Sequence, residues 1–275
     1  MNVLRTGLLL AAIGALAVSI GAYFFGLNGA IIGLGLALAF QAYAYFNGHK
    51  MALRYAHAQP LPPNAIPWLT AANAQLSQRA GITPPTLYLS PDPQPNAFAA
   101  GRNPEVAVVC FNQGLLNAMS EREVIAVLAH EIAHIKNRDS LTMTITAAMA
   151  SFITMLAQLA YFLPLGGDNE RNPLVDLLVF LVAPIAALML QMGVSRTREY
   201  AADRTAAELM GDARPMQDAL VRLEAAVKRV PSPTAQPAME PMYIASPFTK
   251  GGLAALFSTH PSIESRVRAL EGFRA

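Results

Sequence analysis

Residues Ala129-His130-Glu131-Ile132-Ala133-His134 carry the pattern H-E-x-x-H, and the rest of the chain is arranged around them. The apolar run that contains them is preceded by Ser120 and, three positions later, Glu123. A serine followed by a glutamate at this spacing forms a capping box, in which each side chain satisfies a free backbone amide at a helix start. The sequence therefore predicts that the pattern lies on a helix that begins at Ser120.

Histidines four residues apart lie on one face of a helix, about one turn from each other. His130 and His134 can therefore hold one metal ion, and the apolar residues around them indicate an interior in which two imidazoles need a shared partner. Glu131 would lie beside the position that a catalytic zinc keeps open for water. Zinc lowers the pKa of such a water towards about 7, and a carboxylate can pass its proton to a leaving amine. A surface helix that happens to carry two histidines is the alternative.

The composition indicates a membrane protein. Of the 275 residues, 53% are hydrophobic and only 14% are charged, which is too apolar for an ordinary soluble domain. The net charge is +2, and no basic run indicates a nucleic-acid partner. The single cysteine, Cys110, excludes an internal disulfide and lies in a β-like apolar run, so we expect a small core residue there.

The N-terminal stretch predicts two membrane spans. No charged residue occurs between Arg5 and Lys50, and the stretch can hold two helices long enough to cross about 30 Å of hydrocarbon. We place them at residues 6–24 and 30–45, with a turn at residues 26–29. A cleaved signal peptide is the alternative, but a second apolar run follows at once.

Two later apolar stretches, residues 141–163 and 174–192, predict a second pair of spans, the earlier of which runs straight on from the metal helix. Both contain polar residues, so a buried helical hairpin of the catalytic domain is the alternative. Basic residues favour the side of the membrane that holds the metal motif, which the positive-inside tendency places in the cytoplasm together with both termini. These residues are Arg5, Lys50, Arg54, Lys136, Arg138, Arg196 and Arg198, against Arg171 alone on the other side.

The segment between the two pairs of spans predicts a small soluble domain. Residues 66–80 are typical of a helix, residues 86–89 of a short strand, and residues 96–100 and 106–111 of a β-hairpin. A sheet edge beside the metal helix could bind an extended peptide as an added strand. A hairpin that only supports the helix explains the pattern equally well.

A catalytic zinc usually has three protein ligands, so a third ligand must lie elsewhere in the chain. Glu199 and Asp203 are four residues apart just past the last apolar stretch, which places both carboxylates on one helical face. We predict that Glu199 binds the metal and that Asp203 orients a ligand imidazole. Surface acids paired with nearby arginines are the alternative.

The C-terminal part predicts two helices, at residues 214–230 and 262–270, separated by a proline-rich loop at residues 231–247. From its position, the loop could border or cover a peptidase cleft. His260 stands before a proline at the start of the last helix, so it is either a helix-entry residue or a donor that stabilises charge in the transition state.

Several motifs in the same order resemble the HtpX-type membrane zinc peptidases over essentially the whole chain. Besides the H-E-x-x-H stretch and the paired N-terminal spans, they are Asn96-Ala97-Phe98-Ala99, the Glu199-x-x-x-Asp203 spacing and Thr259-His260-Pro261 ahead of Arg266. The resemblance implies a gluzincin-like fold in the bacterial inner membrane, with a cytoplasmic active site that cleaves misfolded or damaged membrane proteins. It further implies that Asn96, Ala97 and Phe98 bind substrate, that His260 stabilises the oxyanion and that Arg266 supports His260.

We therefore expect a mainly α membrane protein with four transmembrane helices and a zincin-like α+β catalytic domain that contains a small β-sheet. An N-terminal transmembrane hairpin (residues 1–48) would precede a cytoplasmic peptidase domain (49–140 and 193–275), interrupted by a second hairpin (141–192). One zinc ion per subunit would be held by His130, His134 and Glu199, with Glu131 as general base. A holdase that keeps the metal for stability, or a transporter that contains the motif, are the alternatives. The former has no need of Glu131, and the latter predicts ionisable residues in the first two spans, which contain none.

Overall fold

The computed structural model describes residues 2–162, 173–230, 242–245 and 260–273. Its first helix, α1 (Asn2–Tyr55), is interrupted at Gly26, whose φ of 61° is a left-handed conformation that glycine adopts without strain. The two arms pack closely, because a Cβ atom on Gly21 would clash with the carbonyl group of Gly29. The hairpin turn predicted at residues 26–29 is therefore present in α1.

Four short strands form one mixed sheet in the order β1-β2-β4-β3. They are β1 (Gln59–Pro60), β2 (Thr86–Ser90), β3 (Ala97–Ala100) and β4 (Val108–Asn112), with α2 (Pro67–Ala80) between the first two. Strands β2 and β4 are parallel, whereas β3 and β4 form the predicted antiparallel hairpin. Strand β3 consequently lies at an edge of the sheet.

The metal-motif helix lies at the centre of the catalytic part of the fold. After α3 (Gln113–Ala118), α4 (Glu121–Lys136) begins at the predicted capping box, in which Ser120 and Glu123 bond each other's backbone amides. Helix α4 packs against α2, β3 and the later helices α6 (Pro173–Met210) and α7 (Arg214–Arg229). Twelve of its residues, including both histidines, are buried, so the metal motif belongs to the core.

The sequence predicts that the third span continues the metal helix without a break. This prediction is wrong, because α5 (Asp139–Phe162) is a separate helix that starts after α4 has ended. Arg138 adopts a left-handed φ of 60° and breaks the helix, which turns Asp139 back towards the metal motif. The threonines of α5 satisfy their hydroxyl groups within the helix, since Thr144 donates to the carbonyl of Ser140 and Thr154 to that of Ala150. The polar residues of this stretch therefore cost little in an apolar environment.

Two helices are long and apolar enough to cross a membrane, within Leu10–Tyr55 and Asp139–Gln158, with mean hydropathies of 2.0 and 1.5. The second arm of α1 packs antiparallel to α5, since a Cβ atom on Gly48 would meet Thr144 while the rings of Phe40 and Phe152 stack at 4.5 Å. Among the residues that the structure describes, no other helix meets the same measure, so four spans remain a prediction. Residues 163 and 166–172, the end of the third predicted span and the loop after it, lie outside the described residues.

Helix α6 is continuous from Pro173 through the predicted fourth span to Met210. The last described helix, α8 (Ile263–Glu271), is capped by Ser262. Of the proline-rich loop, the structure describes residues 242–245, and all four are buried. The fold is thus mainly helical with a small mixed sheet, and helices α4, α6 and α8 and strand β3 converge on one point.

Candidate active site

Three buried side chains from α4 and α6 offer ligand atoms at the spacing of a metal site. The Nε2 atoms of His130 and His134 lie 3.1 Å apart. Oxygens of the Glu199 carboxylate lie 3.6 Å from Nε2 of His130 and 3.5 Å from Nε2 of His134. Ligands about 2.0–2.1 Å from a tetrahedral zinc are separated by about 3.3 Å, so the two imidazole nitrogens and the Glu199 carboxylate fit a zinc ion. The structure brings together the three residues that the sequence had named as ligands.

The charges around this triangle also fit a divalent cation. Four carboxylates are buried here, those of Glu131, Asp139, Glu199 and Asp203. Among the described residues, two guanidinium groups form ion pairs with these carboxylates, those of Arg198 and Arg266. With the buried imidazoles neutral, as metal ligands are, and all four carboxylates ionised, the negative charges outnumber these two guanidinium groups, which is costly in a buried site unless a further cation pairs with them.

Asp203 lies where the sequence placed it, next to a ligand imidazole. Its Oδ1 atom is 3.0 Å from Nδ1 of His130, so it can fix the ring with Nε2 turned to the metal position. Arg266, from α8, is fully buried and donates from Nε and Nη2 to the two oxygens of Asp203, at 2.7 and 2.6 Å. Burial would raise the pKa of Asp203, but the charge of Arg266 holds that pKa below its ordinary value. Asp203 therefore stays ionised.

A second carboxylate, which the sequence analysis missed, lies beside the other ligand imidazole. Oδ2 of Asp139 is 3.5 Å from Nδ1 of His134, and Nε of Arg198 is 3.9 Å from Oδ1 of Asp139. The available signal was an aspartate five residues after His134. The prediction of one continuous helix excluded Asp139 as a partner of His134, because residues five apart on a helix do not face each other.

Glu131 lies between the metal position and the sheet edge. Its carboxylate is buried and accepts a hydrogen bond from the backbone amide of Ala99 in β3. Burial raises the pKa of Glu131, against the charges of His130 and His134, which lower it. A carboxylate of raised pKa is a better proton acceptor than an exposed one, as general-base chemistry near neutral pH requires.

The alternation of β3 shows which of its backbone groups face the free edge. The amide of Asn112 donates to the carbonyl of Asn96 at 2.9 Å, so residue 96 faces β4. Every second residue of an antiparallel strand faces the same side, so Ala97 and Ala99 present their backbone groups to the edge beside Glu131. Ala97 and Phe98 line the catalytic space, whereas the Asn96 side chain is bound by another part of the chain, described below.

His260 lies at the metal site, where it contacts the predicted ligand Glu199. Its Nδ1 atom lies 3.3 Å from Oε2 of Glu199, and Nη1 of Arg266 lies 3.3 Å from the same oxygen. Burial would raise the pKa of Glu199, but the charges of His260 and Arg266 hold that pKa well below its ordinary value. Glu199 is therefore ionised, as a metal ligand must be. Cys110 is fully buried in an apolar cluster, as expected for a core residue, and this burial raises the pKa of its thiol to about 12.

Two histidines and a carboxylate around one point, with a buried glutamate between them and a sheet edge, define a metallopeptidase. Comparison with known proteins agrees, because the model of peptidase family M48 matches residues 63–274. The chain belongs to peptidase family M48 and is a membrane-bound metalloprotease.

Its similarity extends over the whole length of a bacterial relative. The chain is 42% identical over 273 residues to the Protease HtpX homolog of Paraburkholderia phytofirmans, with 98% of this chain and 96% of that protein covered. The fold is similar to that of Ste24p from S. mikatae, with a TM-score of 0.50 and 19% identity. That match covers 94% of this chain, which spans 61% of Ste24p.

Proposed function

We propose that this protein is a zinc endopeptidase that cleaves polypeptides at the membrane surface. The observation that carries the proposal is the triangle of His130, His134 and Glu199, which has Glu131 on one side and Asp203 behind it. A bound zinc ion would polarise the scissile carbonyl and acidify the attacking water. The donor set of two imidazoles and one carboxylate is a common one for catalytic zinc.

The catalytic roles are assigned to this chain's own side chains. Glu131 accepts a proton from the attacking water and delivers it to the leaving amine, which its buried position next to the ligands supports. His260 donates a hydrogen bond to the oxyanion, and its place in the lining of the same space supports this role. Asp203 orients His130, and Arg266 holds Asp203 and Glu199 in place.

The free edge of β3 is the proposed substrate-binding strand. Ala97 presents its amide and carbonyl to this edge, and an extended peptide adds there as a further strand. Asn96 and Phe98 flank it on the strand. Pairing through the backbone does not depend on the side chains of the substrate, so it suits an enzyme that acts on many unfolded segments.

The membrane arrangement is proposed to consist of two helical hairpins, the arms of α1 and the pair formed by α5 with the first part of α6. The antiparallel packing of α1 and α5 supports it, because Gly48 contacts Thr144 near the catalytic part while Phe40 contacts Phe152 farther along. The basic residues at the catalytic ends of these helices support a cytoplasmic position for the active site and both termini. In a bacterium the membrane is the inner one, and damaged membrane proteins are the substrates.

The test measures metal content and casein turnover of purified protein in detergent. Glu131→Gln is expected to keep its zinc and lose turnover, because the amide cannot accept a proton. Glu199→Ala is expected to lose zinc as well. Addition of a zinc chelator should abolish wild-type turnover, and addition of zinc after the chelator is removed should restore it. Normal turnover by Glu131→Gln with full zinc content would refute the role of Glu131.

A further inference from the structure

Residues 242–245, which we name the strap, are buried against the catalytic residues. Met242, Tyr243 and Ile244 line the same space as His130, Glu131 and His260. The strap is far from the metal helix in sequence, and it contacts the side chain of Asn96, the residue directly before β3.

Two side chains hold the strap by its backbone. The Asn96 amide donates to the carbonyl of Met242 at 3.2 Å and accepts from the amide of Ile244 at 3.1 Å. Nη1 of Arg266 donates to the carbonyl of Ile244 at 2.8 Å. The carbonyl of one residue and the amide two residues later are a pair that any extended peptide offers on one side, so a substrate can present the same groups to Asn96.

The space that remains around the catalytic residues is too small for a substrate. Its volume is about 10 Å³, which holds one water molecule. Glu131 and Glu199 are 2% and 1% exposed. A peptide cannot reach the metal position in this arrangement, so part of the lining must move before a bond can be cleaved.

A larger cavity lies next to this space. It has a volume of about 170 Å³ and is lined by the end of α1 and the end of β2. Phe98, Met242 and Tyr243 line both spaces. Displacement of the strap would join the two spaces into one cleft that runs past Phe98 of β3.

We propose that the strap closes the catalytic cleft in the resting protein and is displaced when a substrate adds to the free edge of β3. Asn96 then exchanges the strap backbone for the substrate backbone. This inference rests on the proposed function, and it explains how a membrane protease avoids cleaving folded neighbours, since a substrate must supply an extended segment to replace the strap.

Hydrogen exchange of full-length Glu131→Gln protein, followed by mass spectrometry, tests the displacement without any turnover. Saturating casein is the probe, because the variant binds it without cleavage. The amide of Ile244 is expected to exchange about tenfold faster when casein binds, as its bond to Asn96 is lost. The amides of β3 should exchange more slowly at the same time. If β3 becomes protected while Ile244 stays as protected as before, the strap is a fixed wall of the cleft and the proposal is wrong.

A pair of variants tests the effect on activity. Ile244→Ala removes the buried side chain that anchors the strap, and Leu76→Ala removes the same number of carbons from the same core, on α2. We expect kcat/KM for casein to rise about threefold or more in Ile244→Ala alone, because less free energy opposes displacement. Unchanged or lower kcat/KM in a folded Ile244→Ala protein that keeps its zinc would overturn the proposal. Wild-type zinc content and chelator-sensitive turnover, measured in parallel, report on the proposed function separately.

Discussion

Oδ2 of Asp139 lies 3.5 Å from Nδ1 of His134, across the break between α4 and α5. Asp203 holds the same position relative to His130, at 3.0 Å. Each ligand imidazole thus has its own carboxylate, one from the start of α5 and one from α6. The metal site is in this way connected to the first turn of α5.

We expect Asp139→Asn to weaken zinc binding by about 10–100-fold, because carboxylates behind a ligand imidazole fix its orientation and raise its basicity. Equilibrium dialysis against a zinc buffer measures the change. Asp212→Asn is the matched control, since Asp212 pairs with Arg122 on the exposed surface far from the metal ligands. Equal affinity in Asp139→Asn and the control would mean that Asp139 has no role at the site.

Arg266→Met is expected to lower the free energy of unfolding by about 3 kcal/mol, because Asp203 and Glu199 would then be buried without their cation. Arg268→Met is its control on the same helix, where Arg268 forms an exposed pair with Glu264. Surface changes of this kind stay within about 0.5 kcal/mol. Thermal unfolding in detergent, followed by circular dichroism, compares the two, and a similar Tm for both variants would contradict the prediction.

Glu123 should make stability depend on pH. Burial opposes its ionisation, but the hydrogen bonds from Ser120 and the charge of Arg222 hold the pKa of Glu123 below its ordinary value. A carboxyl whose pKa is lower in the folded state stabilises the fold above its unfolded pKa, and that stabilisation is lost as the pH falls through the folded pKa.

We therefore expect Glu123→Gln to be less stable than wild type at pH 7, by about 1 kcal/mol. The difference should shrink below about pH 4, where the wild-type carboxyl takes up a proton. Thermal unfolding across this range measures it. Glu121→Gln removes a charge from the same helix turn at an exposed position and should show a smaller difference. A Glu123→Gln difference that is constant with pH would contradict the assignment.

Gly21→Val should disrupt the N-terminal hairpin, because its new side chain would meet the backbone of Gly29. Gly35→Val is the control, since a Cβ atom at Gly35 meets no other atom within 4 Å. We expect a lower Tm and a lower yield of folded protein in detergent for Gly21→Val alone. Equal loss in both variants would indicate a general effect of valine in this helix.

The sequence by itself determined the parts of this protein that follow from local periodicity. The helical repeat places His130 and His134 on one face, and the capping box at Ser120 fixes where their helix begins. The turn at Gly26 and the hairpin of β3 and β4 follow from apolar runs and turn residues in the same way. Each of these features depends on residues a few positions apart, so the order of the amino acids is sufficient information.

Only the tertiary structure decided how distant segments meet. Glu199 reaches the histidines because α5 and α6 bring the chain back to α4. Asp139 reaches His134 because Arg138 adopts a left-handed conformation, which no sequence pattern predicts. The contact between Asn96 and residues 242–245 likewise joins segments far apart in sequence. Such contacts depend on how whole helices pack, which is the sum of many small interactions along the chain, and no single motif encodes that sum.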